Sequence, residues 1–233
     1  MSTGREAAQL APPAPARHSE HPEPSHIGAS LRAQREKLGL TLREVARRIG
    51  VSASLISQIE RDKVNPSVST LYSLVRELGL TMGDLFAGDE SATPGGRAPS
   101  GTAAGPAVSP GDRAIINLAS GVSWERLTAM SDPRVEFLHV IYEVGSESCP
   151  ENSLVHHGGK EYGYVISGRL GVRIGFDEYA LGPGDSISFD SSSPHRLWAI
   201  GNESVTSIWV VVGRQSDARV AATDPQRTGL AGT

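Results

Sequence analysis

The apolar residues of this chain repeat with one period in its first half and with another in its second half. Up to residue 87 they recur at intervals of three and four, which is typical of half-buried helices. From Ile115 onward, short β-rich runs alternate with Gly, Pro, Asp and Ser turns, which is typical of an antiparallel sandwich or barrel. Because one period cannot serve both kinds of element, the pattern predicts two domains.

Composition places the boundaries of these domains. Residues 1–26 have no periodicity and are rich in Ala, Pro, His and Glu, so we predict a disordered tail. Residues 88–112 are dominated by Gly, Pro, Ser and Ala, which predicts a flexible linker. The expected order is a tail at 1–26, a helical domain at 27–87, a linker at 88–112, a strand domain at 113–213 with its core motif region at 135–212, and a C-terminal tail at 214–233.

The totals exclude several classes of protein. Lys and Arg number 22 and Asp and Glu number 26, so the formal net charge is −4 and any nucleic-acid surface must be local. Cys149 is the only cysteine, which excludes a disulfide framework within the chain and favours a cytoplasmic location. No apolar run approaches the length of about 18 residues that a membrane span needs, so we expect no membrane association.

Two short helices joined by a tight turn are predicted within the helical domain. Thr41 followed by Glu44 forms a capping box, so the first helix should start at Thr41. Gly50 fits the end of that helix, and Ser52 is a good N-cap for the next one. Two such helices inside a bundle of about five describe a helix-turn-helix unit.

The segment LRAQREKLGLTLREVARRIGVSASLISQIERDKVNPSVSTLYSLVRELGLTMGDLF, residues 31–86, resembles the phage repressor (Cro/CI, XRE-type) helix-turn-helix domain along its whole length. The helix lengths, the turn, the motif IER.K.NPS and the final LF agree with that family in register. Asp62 departs from it, because the family usually has glycine there; Asp tolerates a positive φ better than most residues. Glu60 is expected to tie the helix end to the following loop.

The resemblance implies DNA binding, and the charges of the domain agree with it. Nine basic residues stand against six acidic ones between residues 27 and 86, which suits phosphate binding. In this family the second helix of the motif enters the major groove. Gln58 could make a bidentate contact to adenine and Ala53 could touch a thymine methyl, although each residue alone would suit a solvated helix face. The predicted DNA-binding residues are Thr41, Arg43, Ser52, Ala53, Ser54, Ser57, Gln58, Arg61 and Lys63.

The strand domain contains the stretch VHHGGKEYGYVISGRL, in which His157 is followed by Glu161 and Gly168. A PGD turn comes next, and then His195 after a proline. This spacing resembles both characteristic motifs of the cupin fold, a small antiparallel jelly-roll barrel, over roughly residues 135–212. The predicted fold class is therefore a two-domain α + β chain, with a five-helix Cro/CI-type bundle joined by a flexible linker to a cupin.

The cupin resemblance also implies a metal site of three His and one Glu, in which the first two His form H-x-H. In this register those positions are Val155 and His157, so one usual ligand is missing. Side chains two apart on a strand share a face, so His156 should point away from the barrel interior and cannot substitute. The remaining candidates are His157, Glu161 and His195.

Three interpretations of these candidates stay open. Two His and one carboxylate can hold a divalent metal such as Fe, Zn or Mn with open positions. The same groups could instead form a metal-free pocket that hydrogen-bonds an organic effector, or could be residual polar residues without a ligand. The valine at the first ligand position favours the metal-free pocket. Trp198, Tyr164 and Arg173 could line it, although strand alternation alone does not fix their faces.

The combination of domains resembles XRE-type transcriptional regulators with a cupin sensor domain. It implies a protein without enzymatic activity, whose barrels pair into a homodimer or higher homo-oligomer. Two recognition helices would then lie about 34 Å apart on a double-stranded DNA operator. A small-molecule effector in the barrel would shift operator affinity. The alternative is a non-haem iron cupin enzyme of the hydroxypropylphosphonate epoxidase type, which joins the same domains. The basic recognition helix and the long linker favour the regulator.

Overall fold

The structure is a computed structural model that describes residues 27–87 and 105–214. The predicted tail at 1–26 therefore lies outside the described residues, as do residues 88–104 of the predicted linker and residues 215–233. In the part that the structure describes, no helix has the length and apolar character that would let it cross a membrane.

Five α-helices form the first domain, as the sequence predicts. They share one core, to which every helix contributes buried aliphatic side chains. The helices are α1 (Gly28–Lys37), α2 (Leu42–Ile49), α3 (Ala53–Ile59), α4 (Val68–Leu78) and α5 (Met82–Ala87).

The predicted caps delimit the two helices of the helix-turn-helix. Thr41 Oγ1 accepts a hydrogen bond from the Glu44 amide at 3.2 Å, and the Glu44 carboxylate accepts one from the Thr41 amide at 2.7 Å. Gly50 ends α2 in the left-handed region with a φ of 77°, which glycine adopts at little cost. Ser52 Oγ then accepts from the Leu55 amide at 3.1 Å and starts α3. The predicted capping box, turn and second N-cap are confirmed.

Two polar contacts fix the end of α3 against α1. The buried Glu60 carboxylate accepts two hydrogen bonds from the Arg35 guanidinium, at 2.6 Å and 2.8 Å. Asp62 has a φ of 51°, as expected at the family's glycine position, and its carboxylate accepts from the Gly28 amide at 2.8 Å. Glu60 therefore ties α3 to α1 rather than to the loop that follows, which corrects the sequence-based expectation.

Nine strands in two antiparallel sheets form the second domain, in agreement with the expected cupin barrel. The six-stranded sheet has the order β1-β2-β3-β9-β4-β7 and the three-stranded sheet the order β6-β5-β8. A short 3-10 turn, Pro110–Asp112, precedes them within the predicted linker. The strands are β1 (Ile115–Asn117), β2 (Val122–Arg126), β3 (Val135–Tyr142), β4 (Lys160–Ser167), β5 (Leu170–Ile174), β6 (Asp177–Leu181), β7 (Ser186–Asp190), β8 (His195–Ala199) and β9 (Val205–Val212).

The pairing of β4 with β9 shapes the interior of the barrel. Side chains of β9 alternate strictly between the interior and the outside, and Trp209 points inward. Gly163 of β4 lies directly opposite Trp209. A Cβ atom on Gly163 would lie 2.0 Å from the Trp209 ring. Gly163 therefore leaves space for the indole ring of Trp209 inside the barrel.

Helix α4 packs against the barrel and joins the two domains. The Ala119 amide, in the loop after β1, donates a hydrogen bond to the Pro66 carbonyl just before α4, at 2.9 Å. The ring of Tyr72 on α4 lies 5.4 Å from that of Trp124 on β2. The helical domain is thus seated on the barrel, whereas the sequence suggested only a flexible connection.

Candidate functional site

The predicted DNA-binding residues lie on α3, at the start of α2 and in the turn that follows α3. Most of their side chains are exposed, and only Ala53 and Ser57 are half-buried. Arg61 Nε donates to the Ser57 carbonyl at 2.9 Å. Neither Arg43 nor Lys63 forms an ion pair with a residue in the described ranges. Their charges are therefore available to phosphates.

The other side of α3 is buried and anchored. Ile56 and Ile59 lie in the core of the helical domain, and Glu60 at the end of the helix is held by Arg35. A helix with one side anchored and the other side exposed presents Ser54 and Gln58 in a fixed orientation. This arrangement suits the reading of base edges in the major groove.

The three candidate residues of the barrel converge on one point. Glu161 lies on β4, His195 begins β8, and His157 precedes β4; all three side chains are buried. Glu161 Oε1 lies 2.9 Å from His157 Nε2 and 3.2 Å from His195 Nε2. Potential ligand atoms of the three residues lie within 4.8 Å of one another. His156 is exposed, as predicted.

In each histidine, the hydrogen bond of Nδ1 determines whether the Nε2 atom that faces Glu161 carries a hydrogen. His157 Nδ1 lies 3.0 Å from the Gly158 carbonyl oxygen, and His195 Nδ1 lies 2.9 Å from the Ser193 carbonyl oxygen. A carbonyl can only accept, so both Nδ1 atoms carry hydrogen, an assignment made from the hydrogen-bond network. In neutral rings the Nε2 lone pairs therefore face a carboxylate oxygen. His157 Nε2 and Glu161 Oε1 are in fact buried without a hydrogen-bond partner.

Such an arrangement requires positive charge between the rings and the carboxylate. Either the histidines take up protons, or a divalent cation accepts the lone pairs of both Nε2 atoms and of Glu161. Burial by itself would raise the pKa of Glu161, but His157 and His195, when they carry protons and donate to it, hold that pKa well below the usual value of a glutamate. The residues fit a metal, since metal-bound histidines commonly donate their other N–H to a backbone carbonyl.

Trp209 binds the other carboxylate oxygen of Glu161, Oε2. The sequence analysis did not predict this contact. The Trp209 Nε1 atom donates to Glu161 Oε2 at 2.6 Å. The alternation of β9 could have placed Trp209 inside the barrel, but its partner could not be read from the sequence. Tyr164, considered as a pocket residue, is instead on the outer face and 49% exposed. Trp198 lies beneath the Arg196 guanidinium, 4.6 Å from it.

Tyr72 covers the site from the helical domain and was also missed. Its ring lies 5.4 Å from that of His157. Arg214, just after β9, donates from Nη2 to the Tyr72 hydroxyl at 3.2 Å and stacks over its ring at 4.3 Å. Tyr72 and His157 are distant in the sequence, and no periodicity brings them together. Only the packing of α4 on the barrel reveals the contact.

Two cavities meet at this cover. The cavity inside the barrel measures about 30 Å³ and is lined by Glu161, His195, Trp209 and Tyr72, among others. It has room for an ion or a water-sized group, not for an organic molecule. A larger cavity of about 220 Å³ lies outside the cover, between α4, α5 and the barrel rim, and reaches His157.

Two family models match separate parts of the chain. A helix-turn-helix family model matches residues 31–85, and a cupin domain model matches residues 138–211. The chain is similar to the HTH-type transcriptional regulator PuuR of Escherichia coli K12, with 30% identity over 169 residues, covering 72% of this chain and 84% of that protein. It is also similar to the HTH-type transcriptional regulator SutR of Escherichia coli K12, with 23% identity over 171 residues and the same two coverages, 72% and 84%.

A solved structure shares the fold. An HTH_3 family transcriptional regulator from Vibrio cholerae matches 82% of this chain and 96% of its own length, with a TM-score of 0.56 and 22% sequence identity. The curated relatives are regulators of transcription, in agreement with the expectation that the chain is not an enzyme. With both domain matches and the PuuR similarity together, the chain belongs to the family of helix-turn-helix transcriptional regulators that carry a cupin domain.

Proposed function

We propose that this regulator reads a pseudo-palindromic operator as a homodimer, and that a ligand of its cupin domain shifts its affinity for that operator. The observation that carries the DNA-binding part is α3, whose inner side is fixed by the Arg35–Glu60 ion pair while Ser54 and Gln58 stay exposed. Two copies would set two such helices about 34 Å apart, one turn of DNA. We expect the protein to act in the cytoplasm.

Selection from random double-stranded DNA tests this part. We expect a pseudo-palindromic sequence to be enriched, and gel shifts with it to weaken steeply as salt is raised, because lysine and arginine contacts release counterions from the phosphates. Gln58→Ala should relax the preference at one base pair of each half-site. If no sequence is enriched, or if binding does not depend on salt, sequence-specific operator reading is wrong.

For the barrel we propose that His157, Glu161 and His195 hold a divalent metal ion. The support is chemical: the two Nε2 atoms and Oε1 converge without a hydrogen between them in the neutral state, and the cavity beside Glu161 and His195 has room for an ion or a water-sized group. A bound ion would keep open positions that water could fill. This favours metal over the metal-free pocket that the missing first ligand suggested.

The test is the metal content of protein purified without chelators or a histidine tag. We expect about one equivalent per chain, lost in Glu161→Ala and retained in Glu203→Ala, which changes an exposed glutamate in the loop between β8 and β9. Absence of metal even after iron, zinc or manganese is offered would return the site to a metal-free pocket. Iron- and oxygen-dependent turnover that disappears in Glu161→Ala would instead favour the epoxidase-type alternative.

For the dimer we propose the outer face of the six-stranded sheet as the contact with a second copy. Tyr162 and Tyr164 on β4 are 46% and 49% exposed. In the strand register Tyr162 adjoins Val210 of β9, which adjoins Phe137 of β3. An apolar, aromatic face of this kind is typical of the core of a protein interface. The helix-turn-helix needs a second copy to read both half-sites, which makes an isologous pair the fitting occupant.

Two matched tyrosine variants test this face. Tyr162→Lys should shift the mass measured by light scattering from dimer to monomer, because a buried lysine would lack a partner. Tyr179→Lys, on β6 of the other sheet and 44% exposed, should leave the mass unchanged. A monomeric wild-type protein, or equal effects of the two variants, would contradict the assignment.

A further inference from the structure

Most of the polar side chains that line the cavity between the domains can donate hydrogen bonds. Residues three and four apart on a helix share one side of it, and α4 turns one such side toward this cavity. Its members are Ser69, Tyr72, Ser73 and Arg76. The barrel contributes His156, His157 and Arg214. Among the residues that the structure describes, Glu136 is the only acidic side chain in the lining, so a ligand here meets donors from both domains and a single carboxylate.

One positive charge of this lining has no counter-charge. Glu136 Oε1 lies 2.7 Å from Arg214 Nε, so these two charges offset each other. Arg76 is exposed and forms no ion pair within the part of the chain that the structure describes. Two arginines against one glutamate leave the lining with a net positive charge. Burial raises the pKa of the Glu136 carboxyl, with Arg214 opposing the shift, and a proton on Glu136 would leave the lining more positive still.

The remaining side chains give the cavity an apolar part and a small size. Leu80 and Met82 contribute from the end of α4 and the start of α5, and Pro133 and Leu154 contribute from loops of the barrel. The volume of about 220 Å³ is below the roughly 300 Å³ at which ordinary ligand pockets begin, so the cavity suits a small molecule. Cavities that bind small molecules occur preferentially at such domain boundaries.

We propose that this cavity between the domains, rather than the barrel interior, binds the organic effector, and that the effector is a small carboxylate with an apolar body. The inference rests on the proposed regulatory function and names its ligand class. The carboxylate would accept a charge-assisted hydrogen bond from the Arg76 guanidinium, and the apolar body would lie against Met82 and Leu154.

The same contacts discriminate against molecules of other charge. A neutral alcohol of the same length would keep the apolar contacts, but its hydrogen bond to Arg76 would lack the charge on the ligand that strengthens it. An alkylammonium ion would meet Arg76 with a charge of the same sign, which is repulsive. The expected order of affinity is therefore carboxylate, then alcohol, then ammonium.

Occupancy of the cavity reaches the DNA-binding domain through α4. The effector would touch Arg76 on α4 and Leu154 on the barrel at once, so it binds the seated arrangement better than any arrangement in which α4 has left the barrel. A ligand with such a difference in affinity shifts the population of the two arrangements. Because α3 is built onto the same helical core as α4, the shift alters the placement of the recognition helices on DNA.

The experiment uses hexanoate as the probe and 1-hexanol as its neutral counterpart, each titrated into the full-length protein and followed by NMR. We expect hexanoate to bind in roughly the millimolar range, as its few atoms allow, and 1-hexanol to bind more weakly. Arg76→Gln removes the charge at an exposed position, and should weaken hexanoate about five- to tenfold while leaving 1-hexanol unchanged. Arg169→Gln makes the same change in the exposed turn between β4 and β5, outside the cavity, and should leave both ligands unchanged.

A second variant locates both ligands in the cavity. Ser73→Leu places a larger side chain in the lining, on a helix that tolerates leucine. It should weaken hexanoate and 1-hexanol alike, about tenfold or more, because it fills the space that both need. Ser204→Leu makes the same change at an exposed loop position and should leave the binding of both unchanged.

The DNA arm is measured separately, with the operator obtained by selection. Saturating hexanoate should change operator affinity in the wild type and in Arg169→Gln, and Arg76→Gln should need about five- to tenfold more hexanoate for the same change. No binding of hexanoate, tighter binding of 1-hexanol, equal hexanoate affinity in Arg76→Gln and wild type, or bound hexanoate without an effect on operator affinity would each overturn the inference. Failure to enrich any operator would overturn the proposed function instead, and the binding of hexanoate without DNA would still decide the ligand class.

Discussion

Glu60 in the helical domain and Glu161 in the barrel are both buried carboxylates, and they differ in what faces them. Both oxygens of Glu60 accept hydrogen bonds from Arg35, which is always charged. One oxygen of Glu161 accepts a hydrogen bond from Trp209. The other faces the Nε2 atoms of two histidines whose ring hydrogens are on Nδ1. The first contact is complete within the chain. The second is completed by protons or by a metal ion, which is how a ligand site differs from a structural ion pair.

The largest expected effect comes from removing one partner of the complete pair. Glu60→Ala leaves the buried Arg35 guanidinium with only the exposed Glu36 carboxylate, at 3.5 Å, as a counter-charge and should lower the free energy of unfolding of the helical domain by about 3–5 kcal/mol. Urea denaturation followed by circular dichroism measures the loss. The double variant Arg35→Met, Glu60→Met removes both charges and should recover much of it; a cost below about 1 kcal/mol for Glu60→Ala would show that the pair is not structural.

The site at Glu161 should be stabilised by added metal, whereas the Arg35–Glu60 pair should not respond to it. With a divalent ion at about 100 times its dissociation constant, the free energy of unfolding of the wild-type barrel should rise by about 2.7 kcal/mol, since the ion binds only the folded site. Thermal denaturation with and without zinc or manganese measures the change. Glu161→Ala should abolish it, whereas Glu60→Ala should leave the metal response of the barrel intact. Equal responses of wild type and Glu161→Ala would place the metal elsewhere.

Substitutions of two glycines that lie under tryptophans distinguish an effect on barrel packing from an effect on the metal site. A Cβ atom would lie 2.0 Å from the Trp209 ring at Gly163 and 2.1 Å from the Trp198 ring at Gly171. Gly163→Ala and Gly171→Ala should each destabilise the barrel by about 1–3 kcal/mol through overpacking. Only Gly163→Ala should also weaken metal binding, because Trp209 positions Glu161. Isothermal titration compares the metal affinities of the two variants. Equal affinities would show that Trp209 does not position Glu161 for metal binding.

On the exposed side of α3 the expected effects concern DNA and not stability. Gln58→Ala should cost about 1–3 kcal/mol in affinity at one base position, with no change in the unfolding free energy. Lys63→Ala should instead weaken binding to all sequences alike and reduce the slope of the salt dependence by about one. Fluorescence anisotropy with operator variants separates the two outcomes. A base-specific effect of Lys63→Ala would exchange their roles.

The smallest effect is expected at the start of α2. Hydrogen bonds from the backbone amide of Thr41, and then from its hydroxyl, lower the pKa of Glu44. A lowered pKa means that the contact stabilises the fold above the ordinary glutamate pKa and loses this contribution as the pH falls through the lower value. Glu44→Gln should therefore be slightly destabilising at neutral pH and neutral in strong acid, as followed by thermal denaturation. A difference that grows as the pH falls would have the wrong sign.

The parts that could be predicted from the sequence depend on local or periodic signals. The capping box at Thr41, the turn at Gly50 and the strained position of Asp62 are local, and all three are confirmed. The convergence of His157, Glu161 and His195 followed from the cupin spacing. Strands β1 and β6 carry only a weak sequence signal, since β1 is short and β6 is exposed nearly throughout.

The contacts that escaped prediction join distant segments through packing. Glu60 meets Arg35 on another helix, and Trp209 meets Glu161 across a strand pair. Tyr72 reaches the barrel from a domain that was expected to be only loosely connected. Neither periodicity nor spacing encodes such pairings, because both describe a single element and not the element that will lie against it.

The anchoring of α3 from its inner side also affects how such a regulator can change over generations. Different residues hold the helix in place and face outward. The first set is Arg35, Glu60, Ile56 and Ile59, and the second is Ser54 and Gln58. Substitutions at the outward positions can accumulate without a cost in folding, since surface changes are usually within about 0.5 kcal/mol. Duplicated copies of the gene could thus acquire new target sequences while keeping the same scaffold.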